Sequence, residues 1–82
     1  MTPKSQRASD AVRIEQLVRD LVGDDDSPEA LMREHLEGAR FYLLGSMPAE
    51  YALNLKLAEG ILPEIKDHDL RTRIRELIRR RD

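Results

Sequence analysis

The sequence predicts a small all-α fold, a bundle of three to four helices around a central one. Apolar residues recur at spacings of three and four in successive segments, which is the period of an amphipathic helix. Glycine, proline and short acidic or hydroxyl side chains separate these segments. In the third segment the apolar residues cover roughly 200° of a helical wheel, which is too wide for contact with a single neighbour and is expected to be buried against neighbours on two sides. These residues are Tyr51, Leu53, Leu55, Leu57, Ala58, Ile61, Leu62 and Ile65. The predicted helices span about residues 10–22, 28–44, 47–65 and 69–80.

The first predicted helix follows a polar segment, residues 1–8, which lacks apolar periodicity and is expected to be a disordered tail. Residues 9–82 then form a single domain. Ser9 or Asp10 can cap the first amide groups of the helix. Gly23 is expected to end it in the left-handed conformation that glycine adopts at little cost.

The second helix has the clearest start signal, because Ser27 can cap its free amides and Pro28 needs no hydrogen-bond donor at the first helical position. Phe41 and Leu44 fall outside its apolar arc, so they are expected to contact something other than the helix's main neighbour. The predicted buried arc consists of Leu31, Met32, Leu36, Ala39, Tyr42 and Leu43.

The link at residues 45–48 is short, so the second and third helices are expected to form an antiparallel hairpin. The third helix has two possible ends. It either stops near Glu59 with Gly60 as its cap, or continues to about Lys66 with a kink at Pro63. A new helix is expected after Asp67, with a narrow apolar stripe surrounded by arginine.

Length and composition limit the class of protein. A core of 82 residues supplies only about 3 to 5 kcal/mol of net stability, so a second subunit is one expected source of more. The absence of cysteine excludes disulfides and thiolate metal sites. No apolar run resembles a signal peptide or is long enough to span a membrane, so we expect a soluble, cytoplasmic protein with no membrane partner.

No catalytic, cofactor or metal motif is present, and a non-enzymatic role is expected. The acidic run at Asp24, Asp25 and Asp26 lacks the alternating acids and the glycine of a calcium loop. His35 and Asn54 each lie near the centre of an apolar arc, where an unpaired polar group costs about 1 to 3 kcal/mol. We expect them to form a buried polar lock, paired with each other, with Tyr42 or Tyr51, or with a backbone carbonyl.

Charge is distributed unevenly along a chain whose formal net charge is −2. Acids dominate residues 10–37, whereas residues 70–81 carry six arginines against Glu76 alone. One interpretation is that the basic last helix pairs with the acidic first half of the chain. The other is that the arginines contact a charged partner, either a protein with an acidic surface or a nucleic acid.

The function that we expect is a protein-interaction module, either a small regulatory or adaptor protein or a self-associating subunit, with a homodimer slightly favoured. Nucleic-acid binding by the arginine-rich last helix is the alternative. In the first case apolar side chains insert into the partner while arginines orient an acidic surface. The candidate contact residues are Phe41, Leu44, Leu53, Arg73, Arg75, Arg79 and Arg80.

Overall fold

The computed structural model describes residues 4–80 of the chain, with side chains from residue 6 onward. Four α-helices and one short 3-10 turn account for most of this part of the chain, and it contains no strand. The all-α prediction is therefore confirmed. The elements are α1 (Lys4–Asp20), α2 (Pro28–Leu44), α3 (Pro48–Ile61), the 3-10 turn Leu62–Glu64, and α4 (His68–Arg79).

Helix α1 differs from the prediction at both ends. It begins at Lys4 and not near residue 10, so residues 4–8 are helical, while residues 1–3 of the expected tail lie outside the described part. The Arg7 guanidinium donates a hydrogen bond to the Ser46 hydroxyl across the bundle, which helps to hold this first turn in place. The helix ends at Asp20, and Leu21 continues into the core as a fully buried side chain.

Gly23 does not have the role that the sequence indicates. No described glycine has a positive φ, so Gly23 is not a left-handed cap. Its missing side chain serves a different purpose, because a Cβ atom there would collide with the Ser27 hydroxyl. Gly23 thus lets the loop pass close to the residue that caps α2.

Helix α2 begins and ends where the sequence predicts. The Ser27 hydroxyl accepts a hydrogen bond from the Ala30 amide at 3.2 Å, and Pro28 occupies the first helical position. At the other end the chain reverses through Gly45 and Ser46. Ser46, with φ of 58°, is the one described non-glycine residue in the left-handed region.

Helix α3 combines features of the two predicted endings. It passes through Gly60 without a break and ends at Ile61, and Pro63 lies in the 3-10 turn that follows. The Leu62 amide still bonds back to Ala58 and Glu59, so the turn tightens before the proline, which cannot donate a bond of its own. Asp67 then caps α4, its carboxylate accepting from the Leu70 amide at 3.1 Å.

Three pairs of neighbouring helices are antiparallel. The Arg33 guanidinium of α2 donates to the Leu21 carbonyl just after α1, and Arg7 near the start of α1 reaches Ser46 just after α2. Helices α2 and α3 form the expected hairpin and have the most extensive contact in the bundle. Helix α4 runs back along α1, with contacts to α3 as well.

The core lies along the centre of this bundle. Its fully buried side chains come from all four helices and from the segment that follows the 3-10 turn. The largest of them are Ile14, Leu21, Met32, Leu36, Leu55, Ile65, Ile74 and Leu77. The apolar stripe predicted for α4 is buried in full, at Leu70, Ile74, Leu77 and Ile78.

Candidate protein-interaction surface

The outer side of the α2–α3 hairpin exposes several large apolar side chains. Phe41 is 70% exposed, Leu53 56% and Leu44 55%, and these are the three apolar residues that the sequence marks as partner contacts. Leu31 and Leu57 are also exposed, at 44% and 46%, although the sequence places both in buried arcs. The two leucines thus correct the prediction and enlarge the exposed apolar surface.

Four of these side chains lie on the same side of the hairpin. Gly38 of α2 and Asn54 of α3 mark where the two helices meet, because a Cβ atom on Gly38 would lie 2.7 Å from the Asn54 carbonyl oxygen. Leu31 is seven residues before Gly38, and Phe41 is three residues after it, so both lie on the flank of α2 that Gly38 occupies.

The second row comes from α3. Leu57 is three residues after Asn54 and Leu53 is four before Leu57, so both lie along the outward flank of α3. We call the surface formed by Leu31, Phe41, Leu53 and Leu57 the hairpin face. Gly38 lies between its two rows and contributes no side chain, so the surface is low at its centre.

Phe41 is held in a defined orientation. Its ring packs edge-on against Tyr42, with ring centroids 5.4 Å apart and an angle of 80° between the planes. Tyr42 is itself packed against the core. An exposed aromatic ring supported in this way loses little freedom on binding, which is a property of residues that dominate interfaces.

A groove between α1 and α2 adjoins the hairpin face. It encloses about 700 Å³, and its apolar lining comes from Val18, Phe41 and Leu44. Arg40 lies on its wall, and the Nε atom of this arginine is buried without a hydrogen-bond partner among the described residues. Phe41 therefore stands on the ridge between the groove and the hairpin face.

Acidic side chains surround the hairpin face. Glu37 is four residues before Phe41, and Glu34 is three after Leu31, so each shares the side of α2 on which its apolar neighbour lies. Glu50 is three residues before Leu53 on α3. None of these three carboxylates has an ion pair within the described part of the chain. A depression of about 230 Å³ joins Glu34 and Glu37 to Asp25 beside Leu31.

The arginines of α4 and Arg80, which follows it, differ in their partners, and the Arg71 guanidinium lies 3.5 Å from Nδ1 of the His68 ring without an ion pair among the described side chains. Arg73 pairs with Asp20 of α1 at 2.9 Å and with Asp69 at 3.4 Å, and Arg80 pairs with Asp10 of α1 at 3.5 Å. Arg75 and Arg79 lie on the exposed side of the helix and have no ion pair among residues 4–80.

The Asp20 contact dominates the electrostatics of Arg73. The hydrogen bond that the Arg73 guanidinium donates to Asp20 raises the pKa of Arg73 above its ordinary value. Partial desolvation lowers this pKa somewhat, and Asp69 makes a smaller contribution that raises it. Arg73 therefore stays charged over the whole physiological range. Its charge, like that of Arg80, is directed toward an acid of the same chain.

His35 and Asn54 are half-buried and not fully enclosed. The Asn54 side-chain amide donates to the Glu50 carbonyl at 2.9 Å, and a backbone carbonyl is one of the partners expected for it. The carbonyl end of the same side chain lies against Gly38 of α2. His35 has no hydrogen bond within the described part of the chain, so the structure does not join it to Asn54.

Neither a metal-binding cluster nor a membrane-spanning helix is found in the described part of the chain. The described residues hold no group of three or more His, Asp or Glu side chains close enough to bind a metal ion. Within the same residues, no helix is long and apolar enough to cross a membrane. No protein-family model, curated protein or solved structure matches the chain.

Sequence reasoning identifies part of this surface. It marks Phe41, Leu44 and Leu53 as candidate partner contacts, and all three are exposed, while their binding role stays a prediction. It misses Leu31, Leu57 and the acidic rim. The spacing of Glu34 and Glu37 relative to Leu31 and Phe41 is visible in the sequence. It indicates an acidic rim only once the side of α2 that the other helices leave exposed is known.

Proposed function

We propose that the protein is a non-enzymatic protein-interaction module that binds its partner through the hairpin face. The observation that carries the proposal is the clustering of four large, exposed apolar side chains on one side of two helices, with Phe41 supported by Tyr42. Small proteins rarely leave such a cluster in contact with water unless it is used for binding. Full burial of such a side chain contributes about 1.5 to 3 kcal/mol, and binding adds the roughly half of this that corresponds to the surface still exposed, before its entropic costs.

Fewer arginines are available to contact a partner than the sequence suggests, because some already form ion pairs within the chain. Arg73 and Arg80 already have carboxylate partners in α1, which leaves Arg71, Arg75 and Arg79 without an ion pair among the described side chains, and of these we propose Arg75 and Arg79 for contact with an acidic surface. The same division weakens the nucleic-acid alternative. Proteins with strongly salt-dependent binding to a nucleic acid make roughly six to ten phosphate contacts, and Arg71, Arg75 and Arg79 supply three cations.

Affinity capture from cells that express the protein tests the proposal. The bait is the full chain, compared with Phe41→Ser/Leu53→Ser on the hairpin face and with Val22→Ser as a matched control. Val22 is a valine that is 81% exposed in the loop after α1, outside the hairpin face. We expect the wild type and Val22→Ser to retain the same partner, and Phe41→Ser/Leu53→Ser to lose it.

Two further measurements complete the test. Light scattering after size-exclusion chromatography shows whether the partner is a second copy, since a dimer that depends on Phe41 and Leu53 would satisfy the proposal as a self-associating subunit. Arg75→Glu/Arg79→Glu in the same capture assay tests the arginine contribution. A protein that stays monomeric and retains every partner after Phe41→Ser/Leu53→Ser would contradict the proposed function.

A further inference from the structure

The charge around the hairpin face indicates the chemistry of its partner. We infer that the face binds a basic amphipathic helix of another protein, with the apolar side of that helix against Leu31, Phe41, Leu53 and Leu57. The inference rests on the proposed function and deepens it. Its basis is the combination of two exposed apolar rows with a rim of carboxylates that have no partner among residues 4–80.

The acids of the chain are used differently in different places. In the α1–α4 pair, Asp10 and Asp20 are neutralised by arginines of the same chain. On the hairpin face, Glu34, Glu37 and Glu50 have no such partner within the described residues. Carboxylates spaced along an apolar surface attract Lys and Arg side chains that flank an apolar stripe, and this attraction both orients and accelerates association.

The cations of α2 and α3 do not cancel this charge. Arg33 borders the depression that holds Glu34 and Glu37, and Arg40 borders the α1–α2 groove with Glu37, but neither arginine forms an ion pair with these acids, and Arg33 donates instead to the Leu21 carbonyl. Lys56 is three residues after Leu53 and flanks it on the edge of the hairpin face that is further from α2, while Glu50 flanks Leu53 on the edge nearer to α2. Glu34, Glu37 and Glu50 therefore form the part of the rim nearest to the two apolar rows, with Lys56 at its outer edge.

The shape of the face favours a helix as the bound element. Its two apolar rows run along antiparallel helices, and the close approach at Gly38 and Asn54 keeps the middle low. A helix that lies along such a depression reaches both rows with residues spaced at i, i+3, i+4 and i+7. An extended peptide would find no free backbone groups here, because those of α2 and α3 are used within the helices.

A second copy of the chain fits less well. Two hairpin faces packed together would bring Glu34, Glu37 and Glu50 of one copy near the same acids of the other, and like charges at an interface oppose association. Helix α4 offers Arg75 and Arg79, but none of the exposed large apolar side chains in the described chain belongs to α4. A helix that binds the hairpin face needs basic and exposed apolar side chains together, and α4, which carries Arg75 and Arg79, has no large exposed apolar side chain among its described residues.

The test uses two synthetic helical peptides of about 16 residues. Both carry leucine at i, i+3, i+4 and i+7, and their flanking positions are all Lys in one peptide and all Glu in the other. Binding to the full chain is followed by fluorescence anisotropy. We expect the Lys peptide to bind at least about tenfold more tightly than the Glu peptide, and to weaken several-fold when salt rises from about 50 to about 500 mM.

Charge-matched variants separate the rim from the overall charge of the protein. Glu34→Gln/Glu37→Gln/Glu50→Gln should remove most of the preference for the Lys peptide. The control Glu59→Gln/Glu64→Gln/Glu76→Gln removes the same number of exposed acids elsewhere and should leave the preference in place. Phe41→Ser/Leu53→Ser should abolish binding, with circular dichroism confirming that each variant remains helical.

The outcomes distinguish the inference from the proposed function. Equal binding of both peptides, or an equal loss of preference in the two charge variants, would overturn the inference. A homodimer that is broken by Phe41→Ser/Leu53→Ser would also overturn it, with a second copy as the occupant, and would leave the proposed function standing. If the Lys peptide does not bind and no cellular partner depends on the hairpin face, both fail.

Discussion

The α2–α3 hairpin and the α1–α4 pair have the same antiparallel arrangement, yet different interactions hold them together. In the hairpin the helices approach at Gly38 and Asn54, and buried Ala39 and Ala58 also keep the packing close. In the α1–α4 pair, arginines reach across to two aspartates, one of which, Asp10, is buried.

The difference teaches how the chain distributes its charge. Where helices are joined by long charged side chains, the acids are neutralised internally. Where they are joined by small residues, the neighbouring acids remain available on the surface. The hairpin face, which lies beside the contact of Gly38 with Asn54, is therefore the surface for which we propose binding. Four substitutions test the difference between the two helix pairs.

Leu55→Ala should have the largest effect because Leu55 is fully buried in the hairpin. Loss of its side chain from the core should lower the free energy of unfolding by about 2 to 5 kcal/mol. Leu53→Ala, two residues away on the exposed side, should change it by less than about 0.5 kcal/mol. Urea unfolding followed by circular dichroism at the helical band gives both values. Similar losses for the two variants would show that the hairpin face is not a free surface.

Gly38→Ala should come next, at about 1 to 2 kcal/mol of net lost stability, because the new methyl group displaces the Asn54 side chain from its hydrogen bond to the Glu50 carbonyl and this outweighs the gain in helix propensity. All three nearest atoms to that methyl belong to Asn54. In the double variant Gly38→Ala/Asn54→Ala, the cost should therefore be smaller than the sum of the single variants. A double-mutant cycle measures this coupling, and strict additivity would mean that the contact does not limit the approach of the helices.

Arg80→Ala tests the other pair of helices. Its removal leaves the buried Asp10 carboxylate without its cation, at an expected cost of about 1 to 2 kcal/mol, moderated because Arg80 itself is partly exposed. Arg79→Ala provides the comparison, since Arg79 has no ion pair in the described chain, and its effect should be within about 0.5 kcal/mol. Chemical denaturation at neutral pH is sufficient. A larger loss for Arg79→Ala than for Arg80→Ala would show that the ion pair with Asp10 does not stabilise the α1–α4 pair.

Gly60→Ala should give the smallest effect, and in the opposite direction. Gly60 is helical and nothing lies within 4 Å of the position that a Cβ atom would occupy. Alanine should therefore stabilise the protein by roughly 0.5 to 1 kcal/mol through helix propensity and reduced freedom of the unfolded chain. Thermal unfolding of Gly60→Ala beside Gly38→Ala shows whether the glycine of α2 is special. If alanine lowers the stability at both positions, the close contact at Gly38 is not the reason for its effect there.

Local rules predict much of this fold from the sequence. Helix α2 and its Ser27 cap follow from the chemistry of a single turn, and so does the Asp67 cap of α4. The start of α1 does not follow in this way, because its first turn contacts Ser46, which lies 39 residues later than Arg7. Gly23 is misread for the same reason. Its missing Cβ is required by a contact with the next helix and not by its own backbone angle.

The candidate surface shows the same division between local and long-range information. Periodicity marks Phe41 as lying outside the arc of α2, and the structure places it on an open ridge. Periodicity also assigns Leu31 and Leu57 to buried arcs, because a helical wheel cannot show that a face extends beyond the reach of its neighbours. The pairing of Asp20 with Arg73 fits one of two interpretations that charge distribution alone leaves open.

The position of the α1–α4 contacts in the chain has a consequence for folding. Helices α2 and α3 adjoin each other in sequence, so their hairpin closes a short loop, whereas Asp10 must find Arg80 at the opposite end of the described chain. Closing a long loop costs more chain entropy, and contacts distant in sequence form late. The α2–α3 hairpin should therefore form and expose its face early, while the contact between α1 and α4 should form last and be the first to separate in local unfolding.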